Sequence, residues 1–342
     1  MKKVAVVILN YNGKKFLEQF LPNVIENTDE ELADIVVADN ASTDGSVEFM
    51  KEHFPDIRLI INDFNGGFAT GYNTALRQIE AEYFVLLNSD IEVTPHWIEP
   101  IIDLMDADAD IAACQPKILS YYERDKFEYA GASGGYIDKY GYPFCRGRLF
   151  QNLETDHGQY DDIKEVFWAT GACMFVRSEL YLLKGGLDDS FFAHMEEIDF
   201  CWRMKNLGFK IYCCPQSKVY HIGGGTLPKS SARKTFLNFR NNLSLLYKNL
   251  PGGRVFWTIV YRILLDWVAA VKFLAGGGLG DFWAVIRAHF AFYGRLHALR
   301  KVRRELPHDK VGQMFLRNIV FDNFLKGKRL YSDLDPEKFS HS

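Results

Sequence analysis

The chain has 342 residues, 48% of them hydrophobic and 25% charged, enough apolar mass for one large α/β domain with an appendage and too much for intrinsic disorder. Its 40 Lys and Arg against 44 Asp and Glu leave a net charge of -4. That excludes a globally basic nucleic-acid binder, because affinity for a phosphate backbone needs clustered cations, and any nucleotide partner should be small. The six cysteines show no CxxC pairing, and the adjacent Cys213-Cys214 is neither a zinc nor a dithiol signature, which fits a reduced, cytoplasmic setting.

Lys2-Lys3 precedes the apolar run 4–9, which is shorter than a signal-peptide core and is followed at once by Asn10-Tyr11-Asn12-Gly13; it reads as a buried first strand. From there to about residue 111, apolar runs at 4–9, 35–38, 57–61 and 83–87 alternate with helical stretches, the pattern of a parallel sheet covered by helices. The first, second and fourth runs end in Asn10-Tyr11-Asn12, Asp39-Asn40-Ala41-Ser42 and Asn88-Ser89-Asp90. Ligands of open α/β sheets sit outside the carboxyl ends of the strands, so these clusters should converge in one crevice. Residues 112–187 are aromatic and glycine-rich and read as mixed strands and loops. A helix over 196–207, a strand over 210–214 and Val219-Tyr220-His221 follow, then a helix over 232–250 closed by Pro251-Gly252-Gly253.

Residues 254–306 are dense in aromatic and aliphatic side chains, but Arg262, Asp266 and Lys272 interrupt them, so no run of ~20 apolar residues spans a membrane. Two amphipathic helices joined at Gly276-Gly277-Gly278 fit better. Their basic residues Arg295, Arg300, Lys301, Arg303 and Arg304 suit anionic headgroups. Binding to a membrane surface and packing against the rest of the chain both remain open.

Leu86-Leu87-Asn88-Ser89-Asp90 is a buried strand that runs into an acid at its carboxyl end. A hard divalent cation takes oxygen ligands and keeps positions open for phosphate oxygens, so a carboxylate there can hold Mg2+ or Mn2+ against a diphosphate. The alternative is a plain Asn/Asp turn. Asp39, where a strand hands over to Ser42-Thr43-Asp44-Gly45-Ser46, can accept from a nucleobase N–H or a ribose hydroxyl; the alternative is a structural bond beside a helix cap.

Asn65-Gly66-Gly67-Phe68-Ala69-Thr70-Gly71-Tyr72-Asn73 reads as a glycine-rich loop before a helix over 74–79, whose first amides favour an anion. Neither GxGxxG nor GxxxxGK[ST] occurs. Glu196, Glu197 and Asp199 open a helix after His194-Met195. They either complement the helix dipole or include a general base, since a hydroxyl is a poor nucleophile until a carboxylate takes its proton. His221 precedes the run Gly223-Gly224-Gly225, and its meaning depends on Asp90 being close in space.

Taken in order, Asn10-Tyr11-Asn12, Asp39 to Ser46, Asn65 to Asn73, Asn88-Ser89-Asp90, Trp168-Ala169-Thr170-Gly171-Ala172, Glu196 to Arg203, and His221 resemble the motifs of family 2 glycosyltransferases, most of all the bacterial rhamnosyltransferase-like branch that builds surface polysaccharides. The resemblance runs from residue 4 to about 225. It implies an α/β GT-A fold, the nucleotide-diphospho-sugar transferase fold with a mainly parallel sheet flanked by helices. The expected layout is a catalytic domain over 1–230 (donor half about 1–111, acceptor half about 112–230) and an α-helical C-terminal extension over 231–342.

The activity implied is inverting transfer of a sugar from a nucleotide-sugar donor to a hydroxyl on a saccharide or lipid-linked saccharide, with Mn2+ or Mg2+ bridging the donor diphosphate. A cytoplasmic location at the inner face of the cell membrane suits it. Carried onto this chain, the donor would meet Asn10, Asn12, Asp39, Asn65, Gly71, Asn73, Asn88 and Ser89, with Asp39 on the base. Asp90 and His221 would hold the metal, and Trp168, Thr170, Gly171 and Ala172 would line the acceptor side. Asn88 stands where a DxD motif has its first acid, and Glu197 where the family's Glu-Asp pair has its Asp. Glu197 is then the base, with Glu196 and Asp199 secondary. The competing readings are a sugar nucleotidyltransferase and a non-catalytic sugar-binding scaffold.

Overall fold

Strand β1 (Val4–Asn10) is buried along almost its whole length, because its run Val-Ala-Val-Val-Ile-Leu faces a hydrophobic layer on each side of the sheet. Val4, Val6 and Ile8 point to one layer, and Ala5 and Val7 to the other, as the two-residue period of a strand requires. The structure, a computed structural model, describes residues 2–223 and 231–341. After β1 come α1 (Lys14–Glu26), β2 (Ala33–Asp39), α2 (Ser46–His53), β3 (Arg58–Ile61), α3 (Gly67–Leu76), β4 (Tyr83–Asn88), β5 (Ile91–Val93), α4 (Glu99–Ala107) and β6 (Ile111–Ser120). The middle of the chain forms β7 (Gly135–Asp138), β8 (Pro143–Cys145), β9 (Arg148–Leu149), β10 (Asn152–Leu153), β11 (Lys164–Val166), β12 (Cys173–Arg177) and α5 (Ser178–Leu183). The last part holds α6 (Glu196–Asn206), β13 (Lys210–His221), α7 (Ala232–Asn249), α8 (Gly252–Ala275), α9 (Leu279–Glu305), β14 (Met314–Phe315) and α10 (Ile319–Phe324).

The main sheet runs β11-β13-β6-β12-β4-β1-β2-β3. Strands β4, β1, β2 and β3 are parallel, and β12 enters antiparallel between β4 and β6. Leu17 and Leu21 of α1 and Ile101 and Ile102 of α4 cover one face; Tyr72 and Leu76 of α3 and Phe200 and Trp202 of α6 cover the other. In register, Asn10 lies beside Asp39 and Leu9 beside Asn88, so three of the polar strand ends share one edge of the sheet.

Four expectations change. Helix α3 begins at Gly67 rather than residue 74: Ala69, Tyr72, Asn73 and Leu76 form a buried stripe at helical spacing, which the interspersed glycines hide. Gly67 has φ +82, and a Cβ there would lie 2.3 Å from the Phe192 carbonyl oxygen. The apolar segment after Asp90 forms β5, which turns back antiparallel along β13. Strand β13 is one continuous strand and not two pieces, with the irregularity between Cys214 and Lys218 absorbing Pro215, which cannot donate to a ladder. Finally, the run of long helices after 231 ends at Glu305, with the short α10 beyond it. The tail returns to the small sheet β10-β9-β8-β7, where β14 pairs parallel with β7.

Helices α8 and α9 break at Gly276 to Gly278, as expected. Two of the three polar interruptions turn inward, while Lys272 stays exposed: Asp266 is fully buried and bonds Arg262 at 2.7 Å and His289 at 3.2 Å. Phe256, Trp257, Leu264, Trp267, Val268 and Trp283 are left exposed. Among the described residues, no helix is long and apolar enough to cross a membrane.

Candidate active site

At the sheet edge, the Asn10 amide donates to Asp39 at 2.9 Å and lies 3.2 Å from the Ser42 hydroxyl, and Ser42 N–H donates to the other Asp39 oxygen at 2.8 Å. Asn12, with φ +49, accepts from Thr43 N–H at 2.7 Å. These bonds lock the loops after β1 and β2 together and fix the buried Asp39 at the strand end. Asn65, Gly71 and Asn73 serve this framework as well. Asn65 accepts from Asn40 and Gly67 N–H, and Phe68 N–H donates to Phe192, so the first amides of α3 are satisfied internally and offer no anion cradle. Gly71 leaves room for Leu9 and Asn40, whose atoms a Cβ would meet at 2.9 and 3.0 Å. The Asn73 side chain is taken up by Leu187, Asp189 and Tyr181. It braces α3 against the second half of the chain.

The hairpin from β4 into β5 brings the distant acid and histidine together. Ile91 pairs with His221 in the β5–β13 ladder, which sets Asp90, one residue earlier, against the imidazole: Asp90 Oδ1 is 3.2 Å from His221 Nε2. Asn88 Nδ2 approaches the same nitrogen at 3.5 Å, and Ser89 is partly exposed beside Gly13. On the other side of the ring, His221 Nδ1 faces Glu128 at 3.3 Å. Burial disfavours a charged imidazole, but Glu128 and then Asp90 outweigh it and raise His221 to about 10. Burial likewise opposes charge on Asp90, and His221 reverses it, holding the carboxyl below its usual range. Glu128 was missed in the sequence, where no motif surrounds it; it reaches His221 only because Glu128 N–H bonds Ile118 on β6, the neighbour of β13.

The donor set fits a hard divalent cation. One carboxylate and one imidazole nitrogen lie side by side, where a cation would take the place of the Nε2 proton, and a carboxylate on the far ring nitrogen orients the histidine, a recurrent outer-shell arrangement at metal sites. Among the described residues no three His, Cys, Asp or Glu converge on one point. The remaining ligands would therefore come from the donor and water, as for cations bound against phosphates. The glycines at 224 and 225 lie outside the described residues.

The acceptor-side turn abuts this edge through Ala172, whose carbonyl accepts from Asn88 N–H at 2.9 Å. Thr170 is buried, with its N–H on Gln115 and its hydroxyl on Ala172 N–H. A Cβ on Gly171 would lie 2.8 Å from the Phe68 ring and 3.8 Å from Glu197 Cβ, so Gly171, itself buried, lets α3 and α6 approach closely at this point. Trp168 is instead a core residue, its ring packed on Gly135 and its N–H on the Tyr136 carbonyl at 2.8 Å.

Helix α6 delivers the acids. Asp199 is fully buried and receives Arg203 and Lys248 at 2.9 Å on one oxygen and Asn249 at 2.9 Å on the other. Its lone pairs are engaged, which removes it as a base. Glu196 and Glu197 differ: each has a buried carboxylate oxygen without a hydrogen-bond partner. Burial, then repulsion from Glu197, raises the Glu196 carboxyl well above its usual range, and burial raises Glu197 to about 7. Glu196 is closed off from solvent, whereas Glu197 is partly exposed next to Gly171.

The loop before them is strained, with Phe192, His194 and Met195 at φ +67, +70 and +76. Such conformations cost non-glycine residues about 1 kcal/mol or more each and persist only where the surroundings enforce them. Here α7 enforces them: Asn241 Nδ2 faces the carbonyls of Phe191, Ala193 and His194 at 3.0, 2.9 and 2.8 Å. Asn241 was also missed; only the folded geometry links it to the acids of α6.

A parallel sheet with polar strand ends, an acid–histidine pair and, past the Gly171 turn, a glutamate with one buried oxygen unpartnered suit a group-transfer enzyme. Comparison with known proteins agrees. Residues 5–178 match Glycosyl transferase family 2, and the chain belongs to that family. It is 24% identical over 233 residues to an N-acetylglucosaminyl-diphospho-decaprenol L-rhamnosyltransferase of Mycobacterium tuberculosis, covering 64% of this chain and 75% of that one. It is 23% identical over 314 residues to the low-salt glycan biosynthesis hexosyltransferase Agl10 of Haloferax volcanii, covering 87% and 91%. Among solved structures, GalNAc-T7 superposes with a TM-score of 0.56 at 17% identity over 74% of this chain and about half of its own (49%). The fold is GT-A, and the protein is a glycosyltransferase of polysaccharide or glycolipid synthesis.

Proposed function

We propose that this enzyme transfers a hexose or deoxyhexose from a nucleotide-diphosphate donor to a hydroxyl of a lipid-linked saccharide, with inversion at the anomeric carbon. The observation that carries the reading is the Glu197 carboxyl, partly exposed beside Gly171, with one buried oxygen unpartnered and its pKa raised to about 7. A base poised near neutrality combines adequate ionisation with adequate basicity.

In the proposed reaction Asp39 and Asn10 hold the nucleoside end of the donor. Asp90 and His221 would hold a divalent cation, which neutralises charge on the departing diphosphate when bound. The acceptor oxygen attacks the anomeric carbon, Glu197 takes its proton, and the bond from that carbon to the diphosphate oxygen breaks. The second glutamate, Glu196, stays protonated beside it and keeps negative charge off the acceptor hydroxyl. The lipid-linked acceptor is supported by the Mycobacterium relative, whose name specifies a diphospho-decaprenol substrate. The exposed Trp257, Trp267 and Trp283 on α8 and α9 support a membrane-surface role, since aromatic rings suit the headgroup boundary.

Stereochemistry and acceptor are tested together by incubating the protein with UDP-, dTDP- and GDP-sugars, Mn2+ and short-chain polyprenyl-diphosphate sugars, and reading the product's anomeric configuration by NMR. A product with the donor's configuration would overturn the single displacement. Flotation of the full-length Trp257→Ser/Trp267→Ser/Trp283→Ser variant with liposomes tests the surface role, and flotation equal to wild type would remove it.

A further inference from the structure

Helices α7 and α9 turn a row of arginines toward the loop that carries the base. On α7, Arg233, Phe236 and Arg240 lie at i, i+3 and i+7, one face of a helix; on α9, Arg287 and Arg295 are eight apart and share a face. The Phe236 ring sits between the guanidinium groups of Arg240 and Arg287, at 5.2 and 5.6 Å, and Arg233 lies over the Phe192 ring at 4.9 Å. Arg240 and Arg295 converge on a single carbonyl, that of Ser190, at 3.3 and 2.6 Å. Arg240 also donates to the Phe191 carbonyl at 2.9 Å and to Asn241 Oδ1 at 2.9 and 2.7 Å; all these acceptors are neutral, so two half-buried guanidinium groups meet without the anion their geometry matches.

Asp188, itself paired with Lys248, is the acid that acts on Arg295. None of these four arginines forms an ion pair with a described residue, while Arg203, Arg146, Arg124 and Arg262 all do. The nearby acids are engaged elsewhere: Asp188 with Lys248, Asp189 with Thr70 and Asn73, Asp281 with Thr235. The seven residues 224–230, Gly-Gly-Thr-Leu-Pro-Lys-Ser, include no acid. The mismatch registers on the groups themselves, since burial and then Arg295 lower Arg240 to about 10. His194, within the same loop, also keeps a buried Nε2 without a partner. The base follows two residues after Met195, so an anion at these arginines lies on the acceptor side of Glu197 and not at the Asp90–His221 pair.

We infer that Arg233, Arg240, Arg287 and Arg295 form a second anion site, which binds the diphosphate of a lipid-linked acceptor and sets its sugar hydroxyl toward Glu197. The inference rests on the lipid-linked-acceptor reading above and adds the requirement that the acceptor be anionic near its reacting sugar. The anion also supplies the charge that the loop lacks, so a bound acceptor steadies the base it needs.

The test uses the full-length protein with divalent metal chelated, so that the donor diphosphate site does not compete. Binding of inorganic pyrophosphate and of decyl diphosphate is measured by calorimetry for wild type and Arg233→Gln/Arg287→Gln. These two side chains donate no hydrogen bond among the described residues, so the variant should keep the fold, with an unchanged melting temperature as the control. Both probes should bind wild type, and the variant should lose at least about tenfold in affinity, as expected for removed charge-assisted contacts. Affinity equal to wild type overturns the site, as does arginine-dependent binding to phosphatidylglycerol vesicles with no binding of either soluble diphosphate, which would make the patch a headgroup contact. With metal restored, KM for a diphosphate-linked acceptor should rise in the variant while KM for the same sugar on an uncharged alkyl chain stays put; equal shifts for both overturn the assignment. Donor hydrolysis in water is read in parallel, so a failure of the transferase reading would show there, independently of the pyrophosphate result.

Discussion

Replacing Glu197 with Gln removes the ionisable group and nearly preserves shape, so chemistry and stability can be read on one variant. General-base catalysis contributes about 100-fold to 10,000-fold, or on the order of 3–5 kcal/mol of barrier, and the variant should lose transfer by that factor while still binding donor. The stability prediction is independent. The folded-state pKa of Glu197 is raised from 4.5 to about 7, so the folded state holds its proton more tightly than the unfolded chain. Its contribution is fully present below pH 4.5 and is lost as pH rises through about 7, on the order of 3 kcal/mol at 1.36 kcal/mol per unit. Glu197→Gln escapes that loss, so its melting temperature relative to wild type should climb between pH 5 and pH 8. In wild type, kcat/KM should rise through about pH 7 as the base ionises. Transfer within tenfold of wild type, or a melting difference independent of pH, would refute Glu197 as a buried base.

Asp199→Ala leaves Arg203 without its carboxylate in the interior and should cost about 3–5 kcal/mol by chemical denaturation, far more than any surface acid of α6. Asn241→Ala frees the left-handed loop: kcat should fall at least about tenfold with KM for the donor unchanged, and a fall in stability alone would limit Asn241 to a packing role. Asp90→Ala should abolish the Mn2+-dependent thermal shift given by a nucleotide sugar, since a ligand stabilises in proportion to its affinity; an undiminished shift would move the metal elsewhere. Gly71→Ala forces a methyl against Leu9 and Asn40 and should destabilise by about 1–3 kcal/mol.

The donor half was legible because local rules and topology agree there: apolar runs made the parallel strands, and their polar ends had to meet at one edge. The Asp90–His221 contact was also legible as a pair, although the hairpin that makes it, β5 folding onto β13, left no periodic signal in three residues. What sequence could not show was where hydrogen-bond capacity ends up. Asn73 and Asp199 carry the right chemistry for donor and acceptor, yet Tyr181, Asp189, Lys248 and Asn249 absorb it. Glu128 and Asn241 sit in unremarkable sequence and matter only through partners 93 and about 50 positions away. The family resemblance set Trp168 on the acceptor side, but Gly135 makes a slot for its ring in the core. The C-terminal helices were read as lying on a membrane or on the body of the protein: Arg262 and Asp266 are buried and Arg295 reaches the loop, whereas Arg300, Lys301 and Arg304 stay exposed, as do Trp257, Trp267 and Trp283.

The clamp on the 190–195 loop has a consequence for birth of the enzyme. During synthesis the strands whose ends carry Asn10, Asp39, Asp90 and His221 all emerge by the end of β13, but Asn241, Lys248 and Asn249 follow later, Arg295 later still, and β14, which docks on β7, after that. On the proposed roles, a nascent chain would gain the capacity to hold a donor before it gains a correctly held base. Sugar nucleotides met by a chain made only to β13 would then be bound without being spent.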